Sequence, residues 1–216
     1  MEGRTRLSSI VFGGITLGSN ARKPANAYHH GGLREALIEA AFAQVDRAGH
    51  ESVSIAALAR TLGVSQPAYH RHFGDKDALL AAVAVRGFRL FSCILRDAVA
   101  HRPAAEQLRA NARAYVAFGR DRPGLYQLMF GSPLLSKAAP DSEITVAARE
   151  CFDLLLEALR GSTCRGESVR DAVGIWASLH GIVQLERFHL LDGLGTRDVP
   201  IDSIVDDIIA RHFGTG

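Results

Sequence analysis

The amino-acid sequence predicts an all-α protein. Apolar residues recur three and four positions apart in most segments, and no alternating apolar–polar run is long enough for a strand. Glycine and proline fall mainly between the periodic segments, where they end helices. The 216 residues, 47% hydrophobic and 22% charged, suffice for a sizeable core. We therefore expect an N-terminal three-helix bundle, joined by a long helix to a second all-helical domain.

The stretch before the first periodic segment, residues 1–27, shows neither a helical nor a strand period. Its net charge of +3 comes from Arg4, Arg6, Arg22 and Lys23 against Glu2. A polar, basic and aperiodic stretch of this kind predicts a flexible N-terminal arm.

A first helix is predicted over residues 32–48. Its apolar stripe consists of Leu33, Leu37, Ala40, Ala41 and Val45. Gly49 follows directly and ends the helix, because glycine leaves helical geometry more readily than other residues.

Residues 54–73 predict two short helices joined by a tight turn. Ser54 can cap the first helix, since its hydroxyl accepts a hydrogen bond from a free N–H of the first turn. Gly63 ends that helix at a position where a left-handed backbone favours glycine. Ser65 then caps the second helix, residues 66–73. This arrangement is typical of a helix-turn-helix, whose second helix can enter the DNA major groove.

The fourth helix begins after Phe73, with Asp75 as its N-cap. Its apolar period continues to about His101, and Pro103 prevents further extension. Later helices are predicted over residues 104–120, 123–130, 141–160, 167–191 and 201–213, with loops at 131–140 and 161–166.

Several segments between residues 32 and 88 form a specific pattern. They are Leu33-Arg34-Glu35-Ala36-Leu37, Ser54-Ile55-Ala56-Ala57-Leu58-Ala59, Leu62-Gly63-Val64-Ser65, Tyr69, His72-Phe73, Asp75-Lys76 and Leu79-Leu80. Their order and spacing resemble the DNA-binding domain of tetracycline-repressor (TetR) type transcriptional regulators. Farther along, residues 115–130 together with Trp176, His180 and Gly181 resemble the C-terminal domain of one TetR subgroup, which is named for a Trp-His-Gly motif.

The resemblance implies a dimeric repressor with three parts: the arm at 1–27, a DNA-binding domain at 28–85 and a ligand-binding and dimerisation domain at 86–216. In this family the third helix lies in the major groove, and a small, often apolar molecule usually releases the protein from DNA. One position departs from the pattern. His70 stands where the family usually has a tyrosine that contacts a phosphate. Histidine can donate the same hydrogen bond, but it changes its charge between about pH 5 and 8.

Charge alone does not indicate DNA binding here. The formal net charge is +2, and residues 28–80 carry five positive against six negative side chains. Attraction must therefore come from a few local contacts, with the basic arm as a further source unless it is only a disordered tail. The predicted DNA-contacting residues are Ser54, Ser65, Gln66, Pro67, Ala68, His70, Arg71, His72 and Lys76.

The length and the chemistry of each side chain suggest its role within this set. Gln66 can pair with an adenine edge, and Pro67 or Ala68 can meet a thymine methyl group. Arg71 can read guanine or hold a phosphate. The phosphate anchors are Ser54, His70 and Lys76, whereas His72 is a structural or backbone-contacting residue.

The second domain is rich in large apolar side chains. Ordinary core packing explains each of them singly, but as a set they can also line an apolar ligand cavity with Tyr126 and His180 as polar handles. The predicted ligand-binding residues are Phe118, Leu125, Tyr126, Met129, Phe130, Trp176, Leu179 and His180.

Small residues mark one face of the predicted helix 167–191, at Gly174, Ala177 and Gly181. Small side chains let a second helix approach closely, which favours a dimer interface. Packing within one chain is the alternative.

The sequence shows no pattern typical of an enzyme, metal or cofactor site: no nucleophile–base motif, zinc-ligand spacing, phosphate loop or dinucleotide fingerprint occurs. We expect no catalytic residues and no cofactor. Three widely spaced cysteines and the lack of a membrane-length apolar run favour a cytoplasmic protein. The expected partners are double-stranded DNA with a palindromic operator, a small-molecule effector and a second copy of the chain. The alternatives are an activator or regulator without an inducer, and an apolar-ligand carrier without a DNA role.

Overall fold

The computed structural model describes residues 30–162, 169–193 and 199–213. Within these ranges every regular element is helical, which confirms the predicted fold class. The helices are α1 (His30–Ala48), α2 (Ile55–Thr61), α3 (Gln66–His70), α4 (Lys76–Val99), α5 (Ala104–Asp121), α6 (Pro123–Tyr126), α7 (Leu134–Lys137), α8 (Glu143–Gly161), α9 (Val169–Arg187), α10 (Leu190–Gly193) and α11 (Ile201–Phe213). A short 3₁₀ turn (His50–Ser52) and a π-helical turn (Gln127–Gly131) complete them. The predicted basic arm lies outside the described residues.

The N-terminal bundle of α1, α2 and α3 forms around the apolar stripe that the sequence predicted. Leu37, Ala41 and Val45 of α1 are fully buried and belong to one apolar core with Leu58 and Tyr69. Burying a leucine or valine side chain contributes about 1.5–3 kcal/mol. The bundle thus holds the two short helices, which are too short to be stable alone.

Helix α4 runs through the middle of the molecule and contacts α1, α5 and α8. Its inner face buries Leu79, Val83, Phe88, Phe91 and Leu95. By length and apolarity alone α4 could span a membrane, but more than half of its apolar window is buried inside the protein, as expected for a core helix. The predicted domain boundary at residue 85 falls inside this helix, so both halves of the chain share it.

The C-terminal half places α5, α8, α9 and α11 beside α4. Rings from α4, α5, α6 and the π-helical turn meet there, and the centroids of Phe91 and Phe130 lie 6.3 Å apart. Phe91 lies 4.6 Å from Phe118 and 5.3 Å from Tyr115 between ring centroids, and Phe130 lies 4.9 Å from Tyr126. These aromatic contacts join α4, α5 and the segment after α6 into one packed unit.

Helix α6 reaches back to the N-terminal bundle. Gly124 lies directly against the backbone carbonyl of Val45 on α1, so close that a Cβ atom would stand 2.1 Å from that oxygen. An ion pair between Arg122 and Asp46 joins the same two elements. The bundle is therefore tied to the C-terminal half by α6 as well as by α4.

Three predicted boundaries were wrong. The second helix of the helix-turn-helix ends at His70 rather than Phe73, the predicted loop 131–140 contains the short helix α7, and the predicted helix 167–191 stops at Arg187. At the last of these, His189 adopts a left-handed backbone with φ of 53°. That geometry cannot continue a right-handed helix, so the chain bends before α10.

Candidate nucleic-acid interface and apolar cavity

The turn between α2 and α3 is built by the residues that the sequence singled out. The Ser54 hydroxyl accepts a hydrogen bond from the Ala57 N–H at 3.5 Å, and the Ser65 hydroxyl accepts one from the Ala68 N–H at 3.3 Å. Gly63 has φ of +66°, which confirms the predicted left-handed turn residue. Both short helices therefore begin and end at residues fixed by local chemistry.

Helix α3 ends early because of a tertiary contact. The Tyr69 hydroxyl donates a 2.7 Å hydrogen bond to the Asp75 backbone carbonyl, and the Tyr69 ring is fully buried. To bring Asp75 to that hydroxyl the chain must turn back after His70. Arg71 is consequently the C-cap, and His72 lies in the turn beyond it.

None of the predicted DNA-contacting residues is fully buried. Among them Ser54, Ser65, Gln66, Pro67, His70 and Arg71 are exposed, and Ala68, His72 and Lys76 are half-buried. Gln66 and Pro67 stand at the N-terminal end of α3, the end that contacts base edges in helix-turn-helix proteins.

Lys76 has an additional contact that the sequence did not reveal. Its ammonium donates a 3.3 Å hydrogen bond to the Glu51 backbone carbonyl, in the 3₁₀ turn before α2. An ammonium carries three donors. One contact therefore leaves Lys76 able to hold a phosphate while its side chain is already positioned.

A cavity of about 280 Å³ lies in the C-terminal half, between α4, α5, α8 and α9. Its walls consist of Phe91, Leu95, Asn111, Tyr115, Phe130, Leu135, Thr145, Ala148, Arg149, Cys151, Phe152, Leu155, Trp176 and Leu179. A wall of mostly apolar side chains with a few polar groups is typical of a small-molecule site. A larger cleft of about 450 Å³, between α5, α9 and α11, is lined partly by Arg120, Glu186 and Arg187 and is more polar.

The predicted ligand-binding set divides between this cavity and the surrounding core. Phe130, Trp176 and Leu179 lie on the wall. The other five lie away from it, because they pack against neighbouring helices or bond within the protein: Phe118, Leu125, Tyr126, Met129 and His180.

Sequence reasoning missed several wall residues, and one of them carried a visible signal. Asn111 occupies a position within the apolar stripe of α5, between Leu108 and Tyr115, where a polar amide breaks the pattern. By contrast, Phe152 and Leu95 look like any other core residue in the sequence. Their position on the wall depends on how the helices pack.

A chain of hydrogen bonds leads from the cavity wall to α6 and α9. The Trp176 indole N–H donates to the Tyr115 hydroxyl at 3.1 Å, and the Tyr115 and Tyr126 hydroxyls share a bond of 3.0 Å. Tyr126 bonds in turn to Nδ1 of His180 at 2.7 Å. Burial raises the pKa of Tyr115 to about 12 and lowers the pKa of His180, so the network is uncharged at neutral pH.

Cys151 contributes a thiol group to the cavity wall. It is buried, and its sulfur lies 3.1 Å from the Ser92 hydroxyl. Burial raises its pKa to about 11, which keeps the thiol protonated and unreactive at neutral pH. Cys151 is therefore a packing residue rather than a redox sensor.

The outer face of α9 holds the predicted interface residues. Ala177 is exposed, and Gly174 and Gly181 are half-buried. Val173 and Trp176 on the same face are 44% and 36% exposed, which is high for side chains of this kind. Among the described residues, all but one of the exposed large apolar side chains lie between Val169 and Val199. An apolar face of this kind marks an interaction surface.

Comparison with known proteins agrees with these features. A model of the bacterial regulatory proteins of the tetR family matches residues 37–83, and a model of the tetracyclin repressor-like C-terminal domain matches residues 108–211. The HTH-type transcriptional regulator BetI of Rhizobium meliloti is 30% identical over 189 residues, covering 83% of this chain and 89% of that protein.

Two further similarities extend over most of the chain. The uncharacterized HTH-type transcriptional regulator Rv0681 of Mycobacterium tuberculosis is 29% identical over 179 residues, 82% of this chain and 78% of that protein. A solved structure of a protein with unknown function from Rhodococcus sp. RHA1 has a TM-score of 0.71 at 31% identity, covering 87% of this chain and 98% of that one.

The chain therefore belongs to the TetR family of DNA-binding transcriptional regulators. It is a regulator rather than an enzyme. Members of this family bind DNA and typically act as dimers with small-molecule effectors.

Proposed function

We propose that this regulator is a cytoplasmic homodimeric repressor that leaves a palindromic operator when a small apolar or aromatic molecule enters the 280 Å³ cavity. The observation that carries the proposal is the presence, in one chain, of an exposed α3 and an apolar cavity linked by α4 and α6. Assignment to the Trp-His-Gly subgroup stays a prediction.

DNA recognition rests on the exposed side of α3. Gln66 pairs with an adenine edge, Pro67 or Ala68 contacts a thymine methyl group, and Arg71 reads guanine or holds a phosphate. Ser54, His70 and Lys76 position the protein on phosphates, while His72 stabilises the turn after α3 or contacts the DNA backbone.

Dimerisation is assigned to the outer face of α9. Val173 and Ala177 lie one turn apart, and Gly174 and Gly181 beside them permit close helix approach. A two-fold dimer that reads two half-sites in consecutive major grooves needs its α3 helices about 34–36 Å apart. Sedimentation equilibrium tests this directly, since a chain that remains monomeric at micromolar concentration cannot read a palindrome as a dimer.

Release by an effector requires a connection between cavity and bundle. Tyr115 lies on the cavity wall and bonds to Tyr126 of α6, and α6 contacts α1 through Gly124. A ligand that displaces Tyr115 would therefore move α6 against α1, and with it the orientation of α3. This coupling requires a ligand that binds the DNA-free conformation more tightly than the DNA-bound conformation.

The first experiment measures fluorescence anisotropy of a labelled duplex taken from the upstream region of the chain's own gene. We expect binding that falls steeply with salt, and that weakens for Gln66→Ala. A chain that binds no DNA at low salt, yet binds apolar compounds tightly, would instead be an apolar-ligand carrier. A chain that binds DNA and no compound would be a regulator without an inducer, and transcription assays on the bound promoter would separate repression from activation.

A further inference from the structure

One polar side chain on the cavity wall stands out from the others. Asn111 of α5 is 98% buried, since only 2% of its surface is exposed. Its Nδ2 atom has no hydrogen-bond partner in the part of the chain that the structure describes. Buried amide groups in proteins are almost always paired, so a lone donor on a cavity wall needs an explanation.

Two neighbouring polar side chains of the wall have partners. The Tyr115 hydroxyl bonds to Tyr126 and Trp176. The Thr145 hydroxyl donates to the Ala139 carbonyl at 2.9 Å. Among these three side chains Asn111 is thus the one with an unpaired donor.

Resting on the proposed function, we infer that Asn111 is the specificity-determining residue of the effector cavity, and that its amide donates a hydrogen bond to one uncharged acceptor oxygen of an otherwise apolar effector. The chemical class is a ketone, ester or similar carbonyl compound. An apolar molecule without an acceptor leaves the donor unpaired and is disfavoured for that reason.

The size and charge of the effector follow from the same walls. At packing fractions between those of liquids and of protein interiors, a cavity of 280 Å³ holds a molecule on the order of ten to twelve non-hydrogen atoms. Arg149 is the charged residue among the described wall residues, and it is exposed. A carboxylate beside Asn111 would therefore lie in apolar surroundings without a buried cation, which is strongly unfavourable.

The test compares two probes of the same shape, propiophenone and 2-phenyl-1-butene, which differ only in a carbonyl oxygen or a methylene group at one position. Isothermal titration calorimetry on the full chain measures both dissociation constants. We expect the ketone to bind about tenfold more tightly, which is the effect of one net hydrogen bond. The anion 3-phenylpropanoate should bind more weakly than the ketone.

The variant Asn111→Leu keeps the branched shape of the side chain and lacks the donor. It should bind both neutral probes with equal affinity, and its melting temperature without ligand should rise, because an unpaired buried amide has been removed. The matched control is Gln107→Leu, which removes an amide from the same helix outside the cavity, where Gln107 donates to the Arg102 carbonyl. This control should keep the preference for the ketone.

Equal binding of the two neutral probes by the unchanged protein would overturn the role of Asn111 while leaving the cavity as the effector site. A ketone preference that survives in Asn111→Leu would overturn it as well, as would tighter binding of the anion. A lower melting temperature for Asn111→Leu would show that the amide supports the fold instead. If neither neutral probe binds a protein that still binds DNA, the effector cavity of the proposed function fails, and this inference fails with it.

Discussion

The contact between α6 and α1 makes a sharp prediction about Gly124. A Cβ atom at this position would lie 2.1 Å from the Val45 carbonyl oxygen and 3.2 Å from its carbon. Since ordinary carbon–oxygen contacts begin near 3.3 Å, Gly124→Ala forces the two elements apart by about 1.2 Å. The obstructing atom belongs to helix backbone, so it cannot rotate away as a flexible side chain could.

The expected loss of stability follows from that geometry. Overpacking a well-packed contact costs about 1–3 kcal/mol, and a rigid backbone neighbour favours the upper end. A loss of about 3 kcal/mol corresponds to a melting temperature roughly 6–12 °C lower for a chain of this size. Circular dichroism at the helical wavelength, recorded during heating, measures the shift. DNA affinity should fall with it, because α6 helps to orient the bundle that carries α3.

Gly32→Ala is the matched control. Gly32 lies in α1, and a Cβ atom there meets no atom of the described residues within 4 Å. Alanine is the better helix former by about 0.5–1 kcal/mol, so this variant should melt at the same or a slightly higher temperature. If Gly124→Ala has the same melting temperature as Gly32→Ala and the unchanged protein, then α6 does not press against α1. The proposed route from the cavity to the DNA-binding helices is then wrong.

Three further perturbations test other parts of the molecule. Gln66→Ala should cost about 1–3 kcal/mol of DNA binding at a single operator position, measured with a set of single-base operator variants, and an unchanged preference would remove its base-reading role. Lys76→Ala should weaken binding to all sequences alike and reduce the salt dependence by about one phosphate contact; loss at one base only would contradict this. Burial lowers the pKa of His180, so as the pH falls this side chain is protonated in the unfolded chain before it is protonated in the folded protein. The free energy of unfolding should therefore fall as the pH drops below about 6.5. Thermal melts of His180→Gln between about pH 5.5 and 7.5 should show a weaker fall, and an identical pH dependence would contradict the assignment.

Local chemistry explains why much of the DNA-binding half could be predicted. Ser54, Ser65 and Asp75 are N-caps whose side chains bond within their own first turn, and Gly63 takes a backbone that other residues avoid. Such signals extend over only a few residues and are therefore readable from the sequence. The end of α3 was missed because it depends on Tyr69 bonding to a carbonyl beyond the helix, a contact that only the folded chain creates.

Most residues of the cavity wall, in contrast, could not be predicted from the sequence. Leu125 and Met129 are as apolar as Leu95 and Phe152, but only the second pair lines the cavity. Which apolar residues line a cavity is decided by the relative position of several helices, and helical periodicity gives only the buried face. Asn111 is different, since a lone amide within an apolar stripe is visible in the sequence.

The central claim is that α3 reads a palindromic operator in a dimer. Selection of bound duplexes from a randomised DNA pool, followed by sequencing, tests it most directly. We predict enrichment of an inverted repeat whose half-site centres lie about one helical turn apart, with an adenine preference that disappears in Gln66→Ala. Enrichment of no sequence, or of a single unrepeated half-site that Gln66→Ala selects equally well, would contradict the claim.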